Sequence, residues 1–277
     1  RALEGKLERF VTRSKLGVRL YWAEERGAEI RAAYGRLPAS PSVDAPVLQF
    51  MYEDCDLAME HADGSFMEHL SFCHAYSAAH FKGRSPRVML LHSVLGVGTN
   101  IFPLRAEQLP KLKALVTDTE FAHIEAFPSM LRLLLEQQLL GHLSANAADL
   151  DKLESVVVHR VLDNTQMTMK AGDFWDQLNY QLIHLLDFLP ASNWAAQESD
   201  PMFALFVELF AFLSSSKRLT AHVDFSWTSR ELSLEGQPLS LGACVFRFIP
   251  SALARKLQVK AIRKFSAKIG HSLNYEI

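Results

Sequence analysis

Helical periodicity is the feature that most constrains the fold of this chain. From Val47 to Ser216, apolar residues recur at three- and four-residue spacing in successive segments that short turns separate. Because 49% of the 277 residues are hydrophobic, such a chain can bury a large core. The pattern predicts a mainly α protein, a helical bundle rather than an alternation of strands and helices. The predicted helices cover residues 47–62, 65–81, 86–96, 107–116, 121–143, 148–167, 171–189 and 200–216.

The segments on either side of this bundle have a different character. Residues 1–36 are predicted to form an N-terminal helical extension, and residues 37–46 form a linker that contains three prolines. The helical domain is expected to span residues 47–216. In residues 217–277, apolar and polar residues alternate between Thr220 and Phe248 around the turn sequence EGQP, which predicts a small β-hairpin near the C-terminus.

A basic amphipathic helix is expected after this hairpin. Its basic residues are Arg255, Lys256, Lys260, Arg263, Lys264 and Lys268. We interpret them as a solvated helix face, with docking to an acidic partner, a membrane or RNA as the alternative. The formal net charge of −2 gives no strong nucleic-acid signal, since binding to phosphate backbones depends on a clustered basic surface.

Cysteine content and hydropathy indicate the compartment. Three scattered cysteines do not make a disulfide framework, which favours a reducing, intracellular setting, either the cytoplasm or an organelle matrix. The chain begins at Arg1 rather than at Met, which leaves room for an organellar targeting segment upstream. The most apolar segment, residues 201–216, contains Glu208 and is shorter than the ~20 residues that span a bilayer, so the protein is not expected to be transmembrane.

The chemistry of the chain concentrates between residues 61 and 100, which contain five histidines and two carboxylates. His69 and Cys73 are four residues apart and share one helix face, while His92 ends the next apolar run. His61, which precedes the first of these helices, completes a set of three histidines that can converge across a helix pair. Neutral imidazoles bind divalent metals, so these histidines are predicted metal ligands. Cys73 is interpreted as a buried apolar side chain rather than a ligand.

A family resemblance rests on two motifs in this segment. The sequence H-x-D-G-S-F-x-E-H-L, followed by L-L-H-S-x-L-G-x-G-T, resembles a helical family related to the HD-domain proteins. HD-domain proteins are metal-dependent phosphohydrolases with some oxygenase relatives, and they take ligands from a His, a His-Asp dipeptide and a later Asp. The resemblance implies an HD-like helical bundle in which His69 is the first His and His92 the dipeptide His. Asp163 is the expected late aspartate.

One residue departs from the family pattern, because Ser93 stands where the dipeptide has its aspartate. A serine hydroxyl does not supply the negative charge that this ligand position requires. Such a site either uses other ligands, such as His61 and Glu68, or has lost its metal. Glu68 and Ser93 are the predicted catalytic residues.

Two functions are consistent with these features. The first is an atypical HD-like metal-binding protein that acts as a metal-dependent hydrolase or oxygenase on a small molecule, with Fe, Mn or Zn as its cofactor. The second is a non-catalytic HD-like subunit of a larger, organellar protein assembly, without a metal, that binds protein partners through its appendages.

Overall fold

A computed structural model gives the arrangement of the chain. It describes residues 20–22, 39–55, 60–61, 64–96, 104–136, 138–187, 201–223, 232–234, 260 and 273–276.

The described residues are mainly helical, as the periodicity predicts. The α-helices are α1 (Ala45–Asp54), α2 (Phe66–His80), α3 (Arg87–Leu91), α4 (Leu109–Leu115), α5 (Asp118–Leu135), α6 (Gln138–Ala145), α7 (Ala171–Leu186) and α8 (Pro201–Ser215). Two short 3-10 helices, Ala106–Gln108 and Ala147–Lys152, precede α4 and follow α6.

The strands are short and antiparallel. They are β1 (Leu20–Trp22), β2 (Glu60–His61), β3 (Gly64–Ser65), β4 (Ser155–His159), β5 (Gln166–Lys170), β6 (Leu232–Leu234) and β7 (Leu273–Glu276). β1 pairs with β6, and β2 pairs with β3 immediately before α2. β4 is the centre of a three-stranded sheet, since β5 pairs with one edge and β7 with the other.

Local sequence explains where the main helices begin and end. Thr117 caps α5, because its hydroxyl accepts from the Glu120 amide and the Glu120 carboxylate accepts from the Thr117 amide. α1 begins at the end of the proline-rich linker, where Pro46 occupies the first turn. The run after α3 ends at Gly96, whose φ of 129° is strained for any residue with a side chain.

One continuous apolar core holds the helices together. α2 packs against α3 and α7, and α5 packs against α3, α7 and α8. Fully buried residues such as Leu70, Phe127 and Leu182 lie on these facing surfaces. Burying side chains of this size stabilises a fold by about 1.5–3 kcal/mol each relative to exposing them. The packing brings residues that are more than 100 positions apart in sequence into contact along α2 and α7.

The helix predicted over residues 148–167 is wrong. The structure has a 3-10 helix over Ala147–Lys152 and then the β4–β5 hairpin. Consecutive β-branched side chains in β4 favour a strand, and the buried Val156 and Val158 alternate with partly buried neighbours. Asn164 reverses the chain with a φ of 63°, a left-handed conformation that asparagine tolerates better than most residues. The small antiparallel hairpin therefore lies here, beside the helical core.

Other sequence expectations fall partly on residues that the structure does not describe. The hairpin predicted between residues 220 and 248 lies mostly outside them, and its described segment β6 pairs with β1. The N-terminal extension also lies mostly outside them, but residues 20–22 form a strand and not the expected helix. Of the basic C-terminal helix the structure describes Lys260, which is exposed. The single helix predicted over residues 121–143 is divided into α5 and α6.

In the part of the chain that the structure describes, no helix combines the length and the apolar character that crossing a bilayer requires.

Candidate metal centre

Three histidines and one cysteine meet in the core where α2, the end of α3 and α7 come together. They are His69 and Cys73 on α2, His92 directly after α3, and His184 on the last turn of α7. Each offers one ligand atom, and these atoms all lie within 4.8 Å of one another. The four residues, called here the histidine–cysteine cluster, are at most 3% exposed. They lie close enough together to hold a metal ion.

His69 is oriented by a carboxylate. Its Nδ1 lies 2.7 Å from Oδ2 of Asp187, the residue that follows α7. Because a carboxylate oxygen only accepts, the Nδ1 proton of His69 donates to Asp187. In the neutral ring this leaves Nε2 without a proton, so its lone pair faces the interior of the cluster.

His92 is oriented in the same way by the backbone. Its Nδ1 donates to the carbonyl oxygen of Met89 at 2.6 Å. The neutral ring of His92 therefore also presents an unprotonated Nε2 to the cluster. Partners of this kind, a carboxylate on one imidazole and a backbone carbonyl on another, are the usual second contacts of metal-binding histidines.

The inward-facing nitrogens lie close together. Nε2 of His69 is 3.1 Å from Nε2 of His92, which in turn is 3.0 Å from Nδ1 of His184. A proton on Nδ1 of His184 can donate to His92, but no neutral arrangement places a proton between His69 and His92. Their lone pairs then repel each other, and a cation bound between them removes the repulsion. A tetrahedral ion with bonds of about 2.0–2.1 Å separates two nitrogen ligands by about 3.3–3.4 Å, close to the distances found.

Cys73 lies one helical turn after His69 on the same face of α2. Its Sγ is 3.9 Å from both ring nitrogens of His69. Complete burial raises the pKa of the Cys73 thiol well above its ordinary value, and the nearby negative charge of Asp187 raises it further. The sulfur is therefore a thiol unless a cation stabilises the thiolate, as metal coordination does.

Apolar and aromatic groups surround the cluster. The ring of Phe127, on α5, lies 4.6 Å from the His92 ring and 5.4 Å from the His184 ring between centroids. Asp187 is the more accessible contact of the cluster, since 23% of its side chain is exposed. The cluster is bounded by an aromatic side chain of α5 on one side and is nearer to solvent on the side of Asp187. Burial lowers the local dielectric and strengthens electrostatic interactions in the cluster.

The structure brings together part of the predicted site. His69 and His92, expected as metal ligands, are both in the cluster. Ser93 lies beside His92, is fully buried, and has no hydrogen-bond partner for its hydroxyl among the described residues. His61 belongs to β2 and Glu68 to α2, but the side chains of both lie outside the described part of the structure.

Asp163, the expected late aspartate, is placed elsewhere. Its carboxylate accepts two hydrogen bonds from Arg160 in the turn between β4 and β5. This ion pair, with further hydrogen bonds from Thr165, lowers the pKa of Asp163 to about 2. Asp163 stabilises the hairpin turn and is not a member of the cluster, because the carboxylate that reaches His69 is that of Asp187.

Sequence reasoning missed His184 and Asp187. His184 lies in the last turn of α7 and Asp187 directly follows the helix, three residues later, so both lie on one side of the otherwise apolar run LIHLLDFL. Two polar residues on one face of an apolar helix indicate polar partners on a neighbouring element, because buried polar groups need hydrogen-bond partners. The partner of His184 is His92, 92 positions earlier in the chain, and the partner of Asp187 is His69, 118 positions earlier. Helical periodicity alone does not identify such pairs.

Comparisons of this chain with protein-family models, with curated proteins and with solved structures find no match.

Proposed function

We propose that this chain is an atypical HD-like metal-binding protein that holds one divalent transition-metal ion in the histidine–cysteine cluster. The ion would link α2, the end of α3 and α7, the three elements that supply its ligands. The HD-like part of the proposal rests on the two sequence motifs, whose histidines His69 and His92 both belong to the cluster.

One observation carries the metal proposal. Asp187 and the Met89 carbonyl each hold the Nδ1 proton of a cluster histidine, which turns the unprotonated Nε2 atoms of His69 and His92 toward each other at 3.1 Å. Fully buried imidazoles without a cation would leave this contact repulsive. A positive ion at that place would accept the lone pairs of both Nε2 atoms at once.

The donor set favours zinc among the three metals considered. Three imidazole nitrogens and one sulfur match a tetrahedral zinc site. Manganese prefers carboxylate and water oxygens, and non-haem oxygenase iron takes two histidines and a directly bound carboxylate. Here the carboxylate of Asp187 contacts His69 Nδ1 and therefore acts on a ligand rather than on the metal.

Hydrolase or oxygenase activity on a small molecule is the finer form of this proposal. A catalytic metal needs a coordination position that water or substrate can take. Ser93 is suited to hydrogen-bond such a ligand, because its buried hydroxyl has no partner among the described residues and it follows His92.

Unlike the metal-free subunit expected from the sequence, the second candidate is a non-catalytic subunit of a larger assembly that holds a structural metal. It is favoured by the presence of four potential protein ligands that are all buried, which is the arrangement of closed, structural metal sites. In that case the ion stabilises the helical bundle, and the function lies in surfaces that bind partners. Location in an organelle belongs to this candidate as a proposal from the sequence.

Metal content tests the proposal. The full chain is purified without added metal or chelator, and mass spectrometry measures the metal-to-protein ratio for wild type, His69→Ala and His92→Ala. We expect a ratio near one for the wild type and near zero for both variants. Circular dichroism must show that the variants remain helical.

Two further experiments then distinguish a catalytic metal from a structural one. Screens with phosphate esters and with oxygen-consuming reactions on the metal-loaded protein test catalysis. Turnover that His92→Ala abolishes supports the enzyme. A stoichiometric ion without turnover, whose removal lowers the melting temperature, supports the structural role. A folded wild type that binds no metal contradicts the proposed metal site and agrees with the metal-free subunit expected from the sequence.

A further inference from the structure

A groove lies between the 3-10 helix that follows α6, the start of α7 and the end of α8. We call it the Trp175 groove, because the aromatic side chains that line it are those of Trp175 and Phe212. Its volume is about 860 Å³, which lies within the range of about 300–1,000 Å³ that small-molecule sites occupy. Its described lining residues include one negative and two positive side chains, Asp151, Lys217 and Arg218. None of these residues belongs to the histidine–cysteine cluster.

Arg218 is held against the wall of the groove by several contacts. The central carbon of its guanidinium lies 4.5 Å from the centroid of the Trp175 ring, a distance at which a cation and an aromatic face attract each other. Its Nη1 donates to the carbonyl oxygen of Ser216 at 2.8 Å. Because 16% of the Arg218 side chain is exposed, the guanidinium remains partly accessible from the groove. A cation that is positioned in advance loses little conformational freedom when it binds an anion.

The turn after α8 directs Arg218 toward α7. Lys217 has a left-handed backbone with a φ of 60°, and the amide of Arg218 donates to the carbonyl of Leu213 at 2.8 Å. On the other side, Asn179 of α7 donates from Nδ2 to the carbonyl of Arg218 at 3.0 Å and accepts at Oδ1 from the amide of Ala221 at 2.9 Å. The backbone around Arg218 is therefore fixed to both helices.

Asp151 indicates which chemical group the cation binds. Nη2 of Arg218 donates to Oδ1 of Asp151 at 2.6 Å, so a carboxylate oxygen fits at this place. The Asp151 side chain is 96% exposed, and ion pairs that involve exposed side chains contribute little stability. A carboxylate that belongs to a ligand can replace that of Asp151, because the exchange keeps a charge-assisted hydrogen bond to the guanidinium.

We propose that the Trp175 groove binds a small aromatic carboxylate. The carboxylate of the ligand bonds to Arg218 in place of Asp151, and its ring packs against Trp175 and Phe212. These two side chains are partly buried, and their ring centroids lie 6.5 Å apart. Aromatic rings attract each other at centroid distances of about 4.5–7 Å beyond the effect of the area that they bury. The exposed Lys217 supplies a second positive charge.

An NMR titration of the full chain with 2-naphthoate tests this proposal. Two matched compounds are titrated beside it: 2-naphthalenemethanol, which lacks the charge, and decahydro-2-naphthoate, which lacks the aromatic rings. We expect 2-naphthoate to bind one site with a Kd of about 1 mM or below. The alcohol should bind at least about ten-fold more weakly, and the saturated acid about two- to ten-fold more weakly. Equal affinities for the three compounds, or no saturable binding of 2-naphthoate, overturns the proposal.

The substitution Asp151→Asn tests where 2-naphthoate binds. It removes the carboxylate that competes for Arg218, so the affinity for 2-naphthoate should rise by about two- to five-fold. The matched control is Asp149→Asn, which changes the net charge equally but removes a carboxylate that pairs with Lys152 and does not line the groove. This control should bind 2-naphthoate as the wild type does. An unchanged affinity in Asp151→Asn, or an equal rise in Asp149→Asn, contradicts the proposed site.

The substitution Arg218→Gln tests the cation itself. The affinity for 2-naphthoate should fall by at least about ten-fold, because the charged hydrogen-bond donor is lost. The matched control is Arg84→Gln, since Arg84 also pairs with an aspartate, Asp176, and lies 6.0 Å from the ring centroid of Phe81. Equal affinities in the two arginine variants overturn the proposal. The result for Asp151→Asn does not depend on whether Arg218→Gln folds.

Discussion

The Nε2 atoms of His69 and His92 lie 3.1 Å apart in the core, and each ring already donates its Nδ1 proton to another group. Two neutral imidazoles held in this way have no proton to share. The carboxylate of Asp187 and the carbonyl of Met89 thus prepare the pair for a cation. This relationship makes the roles of His184, Asp187 and Cys73 testable.

Removing His184 should abolish metal binding. His184 Nδ1 lies 3.0 Å from His92 Nε2, and it supplies the ligand that comes from α7. We expect the metal-to-protein ratio of His184→Ala to fall from near one to near zero. The melting temperature should fall as well, since a ligand at 1,000 times its Kd stabilises a fold by about 4 kcal/mol. Mass spectrometry and thermal unfolding measure the two effects.

The matched control is His142→Ala. His142 is a histidine near the end of α6 with an exposed side chain outside the cluster. This variant should keep the wild-type metal content. If His184→Ala binds metal as well as His142→Ala does, His184 is not a ligand and the four-residue site is wrong.

Asp187 should tune metal affinity without being a ligand. Loss of a carboxylate that orients a metal-binding histidine lowers affinity by about 10- to 100-fold. We expect this loss for Asp187→Asn in a competition titration with a metal-binding dye. The control is Asp176→Asn, which breaks the ion pair with Arg84 near the other end of α7. Equal affinities in the two variants would show that Asp187 does not act on the site.

Cys73 should bind the metal as a thiolate. In cobalt-loaded protein, a cobalt–thiolate bond gives a charge-transfer band in the near ultraviolet. We expect the Cys73→Ser variant to lose this band and Cys55→Ser to keep it. Cys55 is also buried, and its burial raises the pKa of its thiol to about 12, but it is not in the cluster. A band that persists in Cys73→Ser would remove the sulfur from the ligand set.

The stability of the protein should fall on acidification, in part through His123. Desolvation lowers the pKa of His123 below its ordinary value of 6.5, so the folded protein holds this ring neutral. The unfolded chain binds the proton first, so the contribution of His123 is complete above pH 6.5 and is lost as pH falls through the folded pKa. Chelator-treated His123→Gln should therefore lose less stability than wild type between pH 7 and pH 5. Parallel pH profiles for the two proteins would contradict this account.

The hairpin turn depends on the left-handed backbone of Asn164. Both Asn164→Gly and Asn164→Ala remove the contact between Asn164 Oδ1 and His159 Nδ1, so their difference isolates the backbone. Urea unfolding should show the glycine variant to be more stable than the alanine variant by about 0.5–1 kcal/mol. Both should keep their metal, because the turn is not part of the cluster. A more stable alanine variant would argue against this turn conformation.

The sequence was most informative where neighbouring residues act together. The four-residue spacing of His69 and Cys73 places both on one face of α2. The sequence was misleading for β4, a short valine-rich strand that follows a helical segment. β4 pairs with β7, a strand that lies more than 100 residues later in the chain. Apolar periodicity over a few residues does not distinguish a short strand from a helical segment.

The candidate site was half predictable for the same reason. His69 lies in α2 and His92 directly follows α3, and their motif context selected both as candidates. His184 and Asp187 reach the site because α7 packs antiparallel to α2, which is a property of the folded core and not of a local pattern. Asp163 lies outside the cluster, because this aspartate in a turn pairs with Arg160, three residues earlier.

X-ray absorption at the metal edge of the protein as purified is the most direct test of the account. We predict a first shell of three nitrogen neighbours at about 2.0–2.1 Å and one sulfur neighbour at about 2.3 Å. A shell of five or six oxygen and nitrogen neighbours without sulfur would contradict the histidine–cysteine cluster as the metal site. The same holds if folded protein shows no stoichiometric metal at all.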